Sequence, residues 1–348
     1  MKKRILVAPL NWGLGHATRS IPIIKALILQ NFEPVIASDG AALMLLKKEF
    51  PELCFFELPS YNITYTKNGK FLKFKLLLNS LNVANAIKAE REVTKRIVDK
   101  QGISGIISDN RLGVYSNKVP SVYVTHQLKV LSGNTTWIST KAHRKFIQNF
   151  DVCWVPDVEG PINLSGQLGH PKTYKIATKY IGPLSRFEKK TTTTLNTLLV
   201  VLSGPEPQRK LLENKLLAEL KHYSGSIIFI KGIMEQEQTK QVSNNITIYN
   251  FMTSAQLEKT INESDLVICR SGYTTIMDLA KLNKKAFFIP TPGQFEQEYL
   301  AKRLTELKLA PSCKQDEFSI DQLKKTADFE GLQSLDFETD FKTLFSLF

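Results

Sequence analysis

The chain has 348 residues, 43% hydrophobic and 23% charged, which exceeds one ordinary core and suits two domains of a globular protein. No apolar run approaches the roughly 20 residues of a membrane span, and the first ten residues lack a signal-peptide pattern, so the cytoplasm is the expected compartment. The net charge of +13 is lopsided: residues 1–185 hold 25 Lys and Arg against 12 Asp and Glu, the remainder 21 against 21.

The first predicted strand, "RILVAPL", leads into "NWGLGHATRS". Two glycines, Gly13 and Gly15, between a strand and a helix let backbone approach a phosphate or another ligand closely. A dinucleotide fingerprint would carry a third glycine where Thr18 stands, and it has no need of His16. At a helix N-terminus the dipole disfavours an imidazolium, and a neutral imidazole can take a proton from a hydroxyl. Capping the helix or binding phosphate is the alternative role. The strands "EPVIASD" and "LCFFELP" follow. Residues 65–80, "YTKNGKFLKFKLLLNS", interleave Lys67, Lys70, Lys73 and Lys75 with Phe71, Phe74 and leucines. This reads either as a segment lying on an anionic membrane or as a core helix with solvated lysines. "GIISD" ends on Asp109, placed to orient an imidazole or to cap a turn. "SVYVTH" ends on His126, on the acceptor side or simply packed.

After "DVCWVPD" the periodicity fades, and four threonines mark residues 186–196 as a linker. The pattern restarts with "TLLVVLSG", "SIIFIKG", "ITIYNF", "DLVICRSG" and "KAFFIPTP", each followed by a turn signal and a helix. The expected class is α/β, with Rossmann-like domains at 1–185 and 197–330. Residues 331–348 read as a final amphipathic helix with no docking site indicated. Cys54, Cys153, Cys269 and Cys313 lie far apart and fit reduced packing residues.

Residues 263–304 concentrate polar groups after successive strands. One strand delivers Arg270, Ser271 and Gly272 to its carboxyl edge, where open α/β sheets bind ligands. The next helix can hold an anion at its N-terminus, and Asp278 can accept from a ribose diol. Gln294, Gln297 and Glu298 suit sugar hydroxyls. An ordinary turn with solvated polar residues is the plain alternative.

This segment resembles the carboxyl-terminal donor domain of the MurG-like glycosyltransferases, whose GT-B fold sets two Rossmann-like domains across a cleft. The resemblance implies UDP-sugar binding by Arg270, Ser271, Gly272, Thr275 and Asp278, the last standing where the family usually has glutamate. It places the sugar against Gln297 and Glu298, the second a departure from a glutamine pair. "YNFMTSAQL" is similar to the base-binding turn, with Phe251 and Met252 framing uracil. "LSGPEPQR" replaces the second glycine loop, supplying Ser203 and Gly204, and "IGPLSR" supplies Arg186. The implied partners are a UDP-sugar donor and a lipid-linked or otherwise anionic acceptor, met by peripheral contact with the inner membrane face. No cofactor is implied, and no nucleic acid is expected because RNA motifs and zinc spacings are missing.

No Asp-x-Asp pair occurs, so metal-independent chemistry is expected, with helix N-termini and arginine meeting the leaving-group charge. The Glu–seven residues–Glu signature of retaining enzymes falls on Arg270 and Asp278, so inversion is expected, with His16 as base and Asp109 as its partner. Three other readings compete. A nucleotide-sugar 2-epimerase would need more carboxylates, and a dehydrogenase would hold ribose on Asp39. The third is a non-catalytic binder of anionic lipid or nucleic acid.

Overall fold

Parallel sheets covered by crossover helices bury both faces of their strands, which is why most strands here are short, mainly apolar runs. The structure, a computed structural model, describes residues 2–61, 80–172, 176–193, 195, 197–335 and 337–348. The basic stretch read either as a membrane contact or as a core helix, residues 65–80, lies outside the described residues except for Ser80. Among the described residues no helix is long and apolar enough to cross a membrane.

The first sheet contains β1 (Arg4–Pro9), β2 (Glu33–Ser38), β3 (Cys54–Glu57), β4 (Ile103–Asp109), β5 (Ser121–Val124), β6 (Val152–Val155) and β7 (Thr178–Tyr180). All are parallel, in the order β3-β2-β1-β4-β5-β6-β7. With them go α1 (Gly15–Leu29), α2 (Gly40–Glu49), α3 (Ser80–Gln101) and α4 (Thr136–Ile147). The winding direction reverses between β1 and β4, so their carboxyl ends form the switch point where such sheets take ligands.

The second sheet contains β8 (Thr197–Val201), β9 (Ser226–Ile230), β10 (Lys240–Ser243), β11 (Ile246–Tyr249), β12 (Leu266–Cys269) and β13 (Lys285–Phe288). Its order is β10-β11-β9-β8-β12-β13, parallel except for β10 against β11. Its helices are α5 (Gln208–Glu219), α6 (Ser254–Glu263), α7 (Tyr273–Lys281) and α8 (Phe295–Glu306). The switch point lies between β8 and β12. Leu198, Val200, Leu216, Phe229, Ile268, Phe287 and Phe318 form the core on one face.

Two strands were not expected from the sequence. β7 has three residues, and all four residues of the edge strand β10 are exposed, so neither carries a burial pattern. Two further differences concern the connecting segments. The linker is not a free tether, because residues 185–193 lie along the second domain: Glu188 N donates to Glu258 at 2.9 Å and Lys190 N to Asn262 at 3.1 Å. The tail returns to the first domain, where Phe345 of α9 (Phe341–Phe345) packs edge-on to Phe32 and Phe348 packs edge-on to Trp154. The Phe348 ring fills the space beside Gly105 that a Cβ would occupy, and Lys3 Nζ holds the Phe348 carbonyl at 2.6 Å. The described residues divide into two compact units, one up to Leu184 with the tail from 337, the other Ser185–Leu335.

Candidate active site

Sheet register assembles the first site. β1 pairs with β4 so that Pro9 stands opposite Asp109. The chain then turns through Gly13, at φ +73°, a conformation few side chains tolerate, into α1. Asn11 fixes that turn by accepting from Ala42 N at 3.3 Å and donating to Asp39 at 3.1 Å. His16 therefore sits on the first turn of α1 with Nδ1 2.8 Å from Asp109 Oδ1. One turn on, Arg19 donates from Nε to Asp109 Oδ2 at 2.6 Å and from Nη2 to Oδ1. Its Nη1 donates to His126 Nδ1 at 3.0 Å. The Arg19 and Asp109 side chains are each 1% exposed, and His16 is 12% exposed.

An ionised carboxylate only accepts, so the shared hydrogen belongs to His16 Nδ1 and the lone pair faces out on Nε2. That nitrogen makes no hydrogen bond among the described residues. Burial lowers the His16 pKa below its ordinary 6.5; Asp109 opposes this, while Arg19 and His126 reinforce it. The ring is neutral at pH 7. Burial alone would push the Asp109 carboxyl up, but Arg19 and His16 outweigh it and hold it below its ordinary 3.8. A second buried cluster braces the same edge. Arg111 donates to Pro9 O at 2.9 Å and to Glu90 at 2.6 Å and pairs with Asp39, while Tyr61 donates to Glu90 at 2.6 Å.

The predicted donor residues gather at the carboxyl edge of the second sheet, but several are spent on the protein itself. Arg270 is a correction. It is 1% exposed, and its guanidinium donates to the carbonyls of Ile289, Pro290 and Gln208, each at 3.0 Å, and to Gln315 at 2.7 Å. Burial drops its pKa to about 9. It ties β12 to the end of β13 and the start of α5 instead of reaching for a ligand. Ser271 is likewise buried and donates to the Gln297 carbonyl at 2.8 Å. Phe251 is buried, and its carbonyl accepts from Gln238 at 2.7 Å. Asp278 accepts from Ser185 at 2.6 Å and from the Arg186 backbone, and burial raises its pKa to about 6.

The remaining predicted residues sit in the turns, caps and loops of the second domain. Gly272 N-caps α7 with no side-chain cap, which sets the positive end of the helix dipole beside half-buried Thr275. Gly204 has φ +97° and open space where a Cβ would stand, next to half-buried Ser203. Arg186 donates to Ser254 at 2.9 Å and lies over the Phe187 ring, and Met252 accepts weakly from Thr260. Gln294 caps α8, and Gln297 and Glu298 accept from Thr291 N and Gly293 N, each at 2.8 Å, shaping the loop before that helix.

Residues 198–338 match the glycosyltransferase family 28 C-terminal domain. An uncharacterized glycosyltransferase of Methanopyrus kandleri is 22% identical over 88% of this chain and 88% of its own. A UDP-N-acetylglucosamine–N-acetylmuramyl-(pentapeptide) pyrophosphoryl-undecaprenol N-acetylglucosamine transferase of Histophilus somni is 29% identical, covering 95% of this chain and 91% of its own. The crystal structure of MurG from Acinetobacter baumannii shares the fold, with a TM-score of 0.55 and 17% identity over 95% of this chain and 93% of that one. The chain is a MurG-like glycosyltransferase of the GT-B fold.

In this MurG-like enzyme the sequence reading singled out His16, Asp109 and His126 but missed Arg19, the side chain that links His126 to the Asp109 carboxylate held by His16. The available signal was spacing: Arg19 follows His16 by three residues, hence on the same helix face. Its charge looked like one more contribution to the basic half. Arg111, Glu90 and Tyr61 were missed for a related reason, since their partners are 21 to 102 residues away.

Proposed function

We propose that this glycosyltransferase is an inverting, metal-independent enzyme that moves a sugar from a UDP-sugar to an acceptor hydroxyl. The observation that carries this reading is the His16–Asp109 pair at a sheet switch point, with a neutral ring whose Nε2 can accept a proton. In the step envisaged, the acceptor oxygen gives its proton to His16 Nε2 and bonds to the anomeric carbon from the face opposite UDP. The bond from that carbon to the diphosphate breaks, and its electron pair leaves with UDP. Asp109 orients the ring and stabilises the imidazolium as it forms. The uncapped start of α7, the Gly204 turn and Arg186 suit the diphosphate charge, while Gln297 and Glu298 suit sugar hydroxyls.

The acceptor is read as lipid-linked or otherwise anionic, met peripherally at the cytoplasmic membrane face. Two observations support this: the excess positive charge all lies in residues 1–185, and the Histophilus relative's name specifies a pyrophosphoryl-undecaprenol acceptor. Each basic residue near an anionic surface contributes about 1 kcal/mol.

The test is transfer from a panel of UDP-sugars to a polyprenyl diphosphate-linked acceptor in anionic vesicles, with and without EDTA. His16→Ala is expected to lower kcat by about 10²–10⁴ while UDP affinity by calorimetry stays unchanged. The product linkage should be inverted by NMR, and EDTA should not matter. A retained anomer, an EDTA-sensitive rate or a fully active His16→Ala variant would each remove the corresponding part of the reading.

A further inference from the structure

We propose that Arg19 is a positioning residue that keeps His16 a proton acceptor by tying up Asp109, with His126 anchoring the far side of the same guanidinium. The inference rests on the reading of His16 as the base. A carboxylate 2.8 Å from an imidazole and otherwise unpaired would favour the protonated ring, by about 1–3 pH units. An imidazolium cannot take the acceptor proton. Here both Asp109 oxygens already accept from Arg19, through Nε and Nη2, so the charge His16 meets is partly offset.

The remaining end of the guanidinium is fixed as well. Arginine has no acceptor, so the hydrogen between Arg19 Nη1 and His126 Nδ1 is donated by the arginine, and His126 carries its own proton on Nε2. The two rings are thereby set in opposite tautomers: His16 with its proton on Nδ1, His126 with its proton on Nε2. Among the described residues, three groups face His16 with charge or a titratable nitrogen: Asp109 from β4, Arg19 from α1 and His126 from the segment after β5. Lysine could supply the charge but not the fork, because one ammonium cannot hold both carboxylate oxygens and His126 in this geometry.

Two measurements on the full chain test this. Nitrogen-15 NMR of labelled imidazoles, without substrate, follows the tautomer and titration of His16, assigned by its loss in His16→Ala. The pH profile of kcat/KM gives the acid limb of transfer. Arg19→Met and Arg19→Gln remove the charge, and Arg19→Lys keeps it. In the two neutral variants His16 should titrate about 1–3 pH units higher and the acid limb should move with it. Activity at pH 7 should fall by about tenfold or more and recover toward alkaline pH. Arg19→Lys should leave the limb in place with a lower kcat. An unmoved His16 titration and an unmoved limb in either neutral variant that folds would overturn the proposal, however low the activity, because a merely structural loss shifts neither. If the titration moves but His16→Ala remains fully active, the hold of Arg19 on His16 stands and the assignment of His16 as base falls.

Discussion

Replacing Asp109 by asparagine removes a single charge from a place where almost no water can replace it. The carboxylate is 1% exposed, as is Arg19, and it accepts from one imidazole and from two nitrogens of one guanidinium. Asparagine keeps the size but offers one acceptor oxygen and an amide that donates toward groups that also donate. Arg19 then loses the carboxylate that its Nε and Nη2 engage while staying buried. Breaking one partner of such a pair costs about 3–5 kcal/mol, and two unit charges about 4 Å apart at an effective dielectric of about 20 attract by about 4 kcal/mol, so the two routes agree. All three tryptophans, Trp12, Trp137 and Trp154, lie in the first domain, so tryptophan fluorescence during urea unfolding reports that domain alone. Asp109→Asn should lower its unfolding free energy by about 3–5 kcal/mol. Adding Arg19→Met should recover part of the loss, because the buried cation that lost its carboxylate is gone. A single variant within about 1 kcal/mol of the parent, or a strictly additive double variant, would refute the buried ion pair.

Arg270→Met should destabilise the second domain by about 3 kcal/mol or more, since three backbone carbonyls and Gln315 lose their donor at once; unchanged urea unfolding followed by far-UV circular dichroism would contradict this. His143 predicts a pH dependence of the first domain. Its Nε2 is enclosed without a partner among the described residues, and burial, with help from His126 and Arg144, lowers its pKa to about 4. The unfolded chain takes that proton near 6.5 while the folded chain resists it to about 4, so stability is complete above 6.5 and falls as pH drops between the two. The tryptophan-detected urea midpoint should decline over that range, and His143→Phe should flatten the decline; a midpoint that rises on acidification would contradict the assignment.

The sequence by itself determined the elements that carry their own burial signature and the residues that chemistry places at strand ends. Eleven of the strands, β1 to β6, β8, β9 and β11 to β13, are apolar runs bounded by turn residues, and these are local properties of the chain. His16 after its glycine turn, Asp109 closing β4 and His126 just past β5 were visible for the same reason. Tertiary structure decided the rest, because the deciding contacts are long-range. Arg19 reads as a surface charge until the pairing of β1 with β4 brings Asp109, 90 residues away, against it. Arg270 reads as a ligand-facing arginine until β13 sets two backbone carbonyls beside it and α5 a third. The exposed strand β10 has no apolar face to announce it, and the tail's aromatic residues found their partners only once Gly105 left a gap for Phe348. Periodicity and motif spacing report what a residue meets within a few positions along the chain. Which buried charge neutralises which is set by sheet order, and sheet order is a property of the folded chain as a whole.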